Sequence, residues 1–167
     1  MKRLFFILLF VGCLCLFACQ GDYVLLDYQR GDLVAECRIN EKYTVEFVKT
    51  GSVCSLTVLE PENARGVRFT VGEDVSVFAE GVEIQMERED LSGICALAGM
   101  FYQSEDSLIS ATQKGEGSVL TFQSGDCFYQ ITLGKSSLPK RVYVASQSFR
   151  YDVEIVSIEL KEKSPTG

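Results

Sequence analysis

Apolar and polar residues alternate along this chain with a period of two, and turn residues break the alternation about every ten positions. No other feature restricts the fold as strongly. Leu33, Ala35, Cys37 and Ile39 share one side of an extended segment, with Asp32, Glu36 and Arg38 on the other. Tyr43, Val45 and Phe47 repeat the pattern after the Asn40-Glu41 turn, and Cys54, Leu56 and Val58 after Thr50-Gly51-Ser52. Val67, Phe69 and Val71 follow a loop at 61–66; Val75 and Val77 come next, then Val82, Ile84 and Met86 after Glu80-Gly81. Successive strand side chains point to opposite faces, so such a series makes an antiparallel meander with one buried face.

Residues 90–103 change period. Leu91, Ile94, Cys95, Ala98 and Phe101 or Tyr102 fall at helical spacing, with Asp90 or Ser92 as the expected N-cap. Gly93 and Gly99 weaken that helix, each by about 1 kcal/mol relative to Ala. Strands then resume at 108–112, 119–122 and 127–133, and after Leu138-Pro139-Lys140-Arg141 at Val142 and Val144. In the last one Phe149, Tyr151, Val153 and Ile155 share a face, after which the apolar set shifts to Val156, Ile158 and Leu160. Such a slip of phase predicts a bulge or bend near Ile155.

Ahead of the alternation lies an export-like leader. Lys2 and Arg3 precede an apolar run over 4–18, and Cys19 follows. At fifteen residues the run falls short of the roughly 20 a membrane-crossing helix needs. Leu16-Phe17-Ala18-Cys19 resembles the lipobox of bacterial lipoproteins, which implies cleavage before Cys19 and diacylation of its thiol. Cys13 and Cys15 lack the flanking pattern. The expected organisation is a signal peptide at 1–18, lipidated Cys19 and a tether at 19–31, one β domain at 32–160 and a polar, disordered tail at 161–167. Two acyl chains hold a protein stably on a membrane where one does not. The expected location is therefore the extracytoplasmic face of the bacterial membrane, held by the lipid anchor.

Once Lys2 and Arg3 are removed, 14 basic residues stand against 23 acidic ones, a formal charge of −9. An acidic domain is repelled by nucleic acid and by anionic headgroups, so no nucleic-acid partner is expected. The sequence contains no His and no Trp. That removes Ser-His-Asp and Cys-His catalysis and His-based zinc sites, and the chain is read as no enzyme, with no cofactor.

A lipobox, a meander of about ten strands and one short helix together resemble the LolA-like lipoprotein-carrier superfamily. The stretch 134–144, GKSSLPKRVYV, resembles that group's closing hairpin. The segments 43–48 and 54–58, followed by Pro61-Glu62-Asn63, are similar to the opening strands of small Firmicutes membrane lipoproteins, germination-related ones included. The resemblance implies a mainly β fold: an antiparallel meander curved into an unclosed half-barrel, with the helix on its concave face over an apolar cavity. It does not imply shuttling between membranes, which an anchored protein cannot perform, and no carrier residue maps onto this chain.

Cys37, Cys54 and Cys127 fall on inward strand positions and Cys95 on the apolar helix face. Four cysteines allow three pairings into two disulfides. Cys37 and Cys54, however, sit on strands separated by another, about 9–10 Å apart, beyond the roughly 7 Å a disulfide tolerates. Buried free thiols are the favoured reading, and without a C-x-x-C pair no metal site is expected. The carboxylates at 87–90 and 105–106 lack calcium-loop spacing and read as solvated loops. Phe47, Phe69, Phe101, Phe122, Tyr129, Phe149 and Tyr151 read as core, some of them lining a pocket if the half-barrel forms. Two functions remain. An interaction scaffold in the cell envelope is slightly preferred; binding of a lipid, acyl chain or lipidated peptide in the concave cavity is the alternative. A continuous apolar cavity would favour the second, and a helix-filled interior with a bare edge strand the first.

Overall fold

The computed structural model describes residues 26–115 and 117–161. The expected leader, Cys19 and most of the tether lie outside the described residues, as do 162–167. Eleven antiparallel strands form one sheet. They are β1 (Asp32–Ile39), β2 (Tyr43–Thr50), β3 (Val53–Glu60), β4 (Arg68–Val71), β5 (Val75–Ala79), β6 (Val82–Met86), β7 (Leu108–Lys114), β8 (Gly117–Ser124), β9 (Cys127–Leu133), β10 (Pro139–Ala145) and β11 (Arg150–Lys161). Each segment of alternation has become a strand.

The spatial order is β6-β5-β4-β3-β2-β1-β11-β10-β9-β8-β7. Two meanders, β1–β6 and β7–β11, are thus joined along β1 and β11, and among the described residues β6 and β7 are left as free edges. The sheet is not closed. Where the strands turn, the backbone takes left-handed values: Glu80 and Gly81 lie at φ 53° and 84° between β5 and β6, the geometry that matches a two-residue hairpin to strand twist. The expected phase slip in the last strand is a bulge. Glu36 pairs with Ser157 and Cys37 with Ile155, which leaves Val156 as the unpaired extra residue, 49% exposed.

The inward alternation supplies the core: Leu33, Ala35 and Cys37 from β1, Phe47 from β2, Leu56 from β3, Phe122 from β8, Ile131 from β9 and Val153 from β11 are essentially unexposed. Every buried apolar side chain among the described residues lies between Tyr28 and Val153. Residues 20–167 therefore contain this whole core.

Two boundaries differ from expectation. The ordered domain begins ahead of Asp32, because α1 (Asp27–Arg30) is a single helical turn whose Tyr28 is fully buried. Tether residues 26–31 thus belong to the domain. At the other end β11 runs through Lys161. The central helix is also shorter than the 90–103 periodicity predicts: α2 spans Ser92–Gly99, with Leu91 at its N-cap and no side-chain cap. Packing holds it instead, since Ala96, Leu97 and Ala98 are buried.

α2 lies on the concave face, and its length is informative about the curvature. It approaches β3 and β4 on one side and meets Tyr129 of β9 and Tyr151 of β11 on the other. In a flat sheet β4 and β9 would be six spacings, ~29 Å, apart. A helix only ~12 Å long reaches both, so the sheet wraps round it. No helix among the described residues is long and apolar enough to cross a membrane.

Candidate functional site

Between α2 and the first four strands the helix does not fill the trough. A cavity of about 300 Å³ remains, partly open to solvent. Its floor is the inward row of Ile39, Val45, Leu56, Val58 and Phe69, with Val67 and Ala64 at one side. Ile94 and Leu97 of α2 roof it, and Tyr43 and Tyr151 bring the only polar atoms of its lining side chains. The alternation explains the floor, because these residues occupy the same face of adjacent strands: Val45 stands opposite Val58, and Leu56 opposite Phe69. Burial raises the Tyr151 hydroxyl above its ordinary pKa, and its ring stacks on Phe149 with centroids 5.3 Å apart. Carrying no ionised side chain, the pocket offers an apolar group an apolar surface and nothing that could act as a nucleophile or general base near neutral pH. At ~30 Å³ per water it holds the equivalent of about ten waters, the size of a short acyl segment or a bulky apolar side chain.

Six of the seven aromatics expected as core divide into two sets, and the seventh, Phe149, is half-buried and belongs to neither. Phe47, Phe101, Phe122 and Tyr129 are buried, Phe47 and Phe101 meeting edge to face at 5.7 Å. Phe69 and Tyr151 instead line the pocket. Gly93 and Gly99, which look like helix defects, are seating points. A Cβ at Gly93 would collide with the Tyr151 hydroxyl, and one at Gly99 would stand 2.9 Å from that of Tyr129. Only bare backbone lets α2 settle between the two tyrosines.

Sequence reading missed Lys49. It occupies an inward position of β2 and is 2% exposed. Its Nζ donates to the carbonyls of Tyr28 (3.2 Å) and Gln29 (2.6 Å) at the end of α1 and lies 4.8 Å from the Tyr102 ring centroid. A cation at the last carbonyls of a helical turn is favoured by the negative end of the turn's dipole. Burial lowers the Lys49 pKa, as desolvation disfavours the charged form. Gln29 adds a bond from Nε2 to the carbonyl of Gln103, beyond α2. This polar knot ties the start of the domain to the sheet and to the end of the helix connection. The one signal for it was a lysine in phase with Val45 and Phe47.

Cys37, Cys54, Cys95 and Cys127 are all free. Burial pushes the Cys54 thiol up to about 12 and that of Cys37 higher still, so both are inert thiols at neutral pH. Residues 87–89 border a larger, open hollow of about 630 Å³ with Glu73 and Asp74. Exposed carboxylates dominate it, and no buried side chain there could orient a ligand. Among the described residues no group of three or more metal-ligating side chains converges. Cys19 lies outside the described residues.

No protein-family model and no curated protein matches the chain. Among solved structures it is similar to an uncharacterized conserved protein from Thermus thermophilus, at 11% identity over 82% of this chain and 83% of that one, TM-score 0.49. It is also similar to a LolA superfamily protein from Nitrosomonas europaea, at 10% identity over 80% of this chain and 86% of that one, TM-score 0.41.

Proposed function

We propose that this chain is a non-catalytic binding protein, anchored through lipidated Cys19 to the outer face of a bacterial membrane, that takes an apolar group into the pocket beneath α2. The ligand class is a lipid, an acyl chain or a lipidated peptide. The observation that carries the reading is the cavity itself: about 300 Å³, apolar on floor and roof, and partly open. Pockets for small apolar ligands begin near this size. Each methylene transferred there from water contributes roughly 0.8 kcal/mol, so a short acyl segment would bind usefully without any polar anchor. The sequence alone slightly favours a scaffold, and the pocket reverses that order. The scaffold reading keeps one supporting observation, the two unpaired sheet edges β6 and β7.

Native mass spectrometry of residues 20–167, followed by organic extraction, tests the proposal. A lipid or fatty acid should co-purify in fixed ratio, and Ala64→Phe, which directs a ring into the cavity, should abolish uptake while leaving the melting temperature within a few degrees. A clean ligand-free mass that also takes up no added fatty acid would sink the reading.

A further inference from the structure

The two free edges are not alike. β7 carries a bulge between Leu108 and Ser110 and ends in Lys114, devices that discourage strand addition. β6 has no bulge, no Pro and no Lys. Its one charged residue, Glu83, is on the face away from the trough and accepts a 2.7 Å hydrogen bond from Ser76. On the trough side Val82 and Ile84 are 58% and 55% exposed. They stand opposite Ala79 and Val77, and Val77 opposite Phe69 of the pocket floor. The apolar concave surface thus runs out to an unprotected edge.

We propose that β6 pairs antiparallel with β6 of a second copy of this chain, about a two-fold axis at Ile84. The register is self-complementary. Ile84 meets the second copy's Ile84, Val82 its Met86, and Glu83 its Gln85, so no like charges are opposed. Carried past the strand ends, the same register sets Glu80 against the second copy's Arg88. Both residues are exposed, and no ion pair among the described residues uses either. Arg88 donates to the backbone carbonyls of Gly72 and Glu73 and lies beside the Cys95 thiol, with no carboxylate partner among the described residues. The pairing covers Val82 and Ile84 of both copies and satisfies two rows of edge backbone groups. It joins two troughs along one apolar strip, and it does not depend on whether the pocket takes a ligand. A five-residue edge buries less than the roughly 800 Å² per partner of a standard interface, so the dimer is reversible.

Sedimentation equilibrium of residues 20–167 up to about 1 mM reads the association. A monomer–dimer equilibrium is expected. Ile84→Lys, at an exposed position, should abolish it without lowering the melting temperature. Glu80→Arg should weaken it about tenfold, and the double exchange with Arg88→Glu should restore it. Directly opposed residues have Cα atoms ~4.5–5.5 Å apart, within disulfide range. Ile84→Cys should therefore form a disulfide-linked dimer on mild oxidation. Val82→Cys should not, as its counterpart lies four residues along the opposite strand, ~13 Å away. A monomer throughout the range, a dimer indifferent to Ile84→Lys, or equal cross-linking at both positions would overturn the proposal.

Discussion

Adding one methyl group at Gly93 tests how tightly α2 is held in the trough. In an open helix position Ala is better than Gly by up to about 1 kcal/mol. Here the new Cβ would collide with the Tyr151 hydroxyl oxygen and stand 3.3 Å from Cζ, the ring carbon that bears it. Forcing extra atoms into a packed site costs typically 1–3 kcal/mol. The expected net effect of Gly93→Ala is therefore a loss of about 1 kcal/mol. Tyr151→Phe removes the colliding oxygen and leaves the ring carbon slightly inside ordinary contact. In that background the steric cost nearly vanishes and the propensity gain remains, so the same substitution should become neutral or stabilising by up to about 1 kcal/mol. The coupling between the two sites is thus about 1–2 kcal/mol, typical of residues in contact. Urea unfolding of residues 20–167 for all four proteins of the cycle measures it from midpoints at constant slope. If Gly93→Ala costs the same in both backgrounds, Tyr151 does not set the position of the helix and the account of the two glycines fails.

Two further outcomes follow from the polar knot and the buried thiols. Lys49→Ala removes two hydrogen bonds from a buried ammonium, those to the Tyr28 and Gln29 carbonyls, and should cost about 2–3 kcal/mol, with hydrogen exchange accelerated across residues 26–31 and little changed in β9. Cys54 has a folded pKa raised by burial from 9.0 to about 12, so the unfolded chain releases this proton first. Its contribution to stability is intact below pH 9 and lost as pH rises from 9 toward 12. Cys54→Ala should flatten the alkaline fall in unfolding free energy measured between pH 8 and 11, and an unchanged slope would contradict the assigned burial.

How much could be read in advance depends on the range of the forces involved. Alternation reflects the pleat of a single strand, so the positions of all eleven strands, their inward faces and the bulge in β11 follow from neighbouring residues. So does Lys49 as an anomaly, since it falls in phase with Val45 and Phe47. Its partners do not follow: the carbonyls it caps are 20 and 21 residues away and are brought close only because α1 folds under the sheet. Helix propensity treats Gly93 and Gly99 as liabilities, because it contains no information about Tyr151 and Tyr129. The inward aromatics could be listed, but only the placement of a short helix separates Phe47, which is sealed, from Phe69, which is left facing a cavity.

Sequence by itself determined a mainly β chain, its inward and outward residues, and one central helix, α2, to be accommodated. Tertiary structure alone decided that β1 joins β11, that the sheet stays open at β6 and β7, and that α2 covers the trough without filling it. Local patterns are set by backbone geometry within a few residues. Closure, cavity and edge depend on how distant strands share one curved surface.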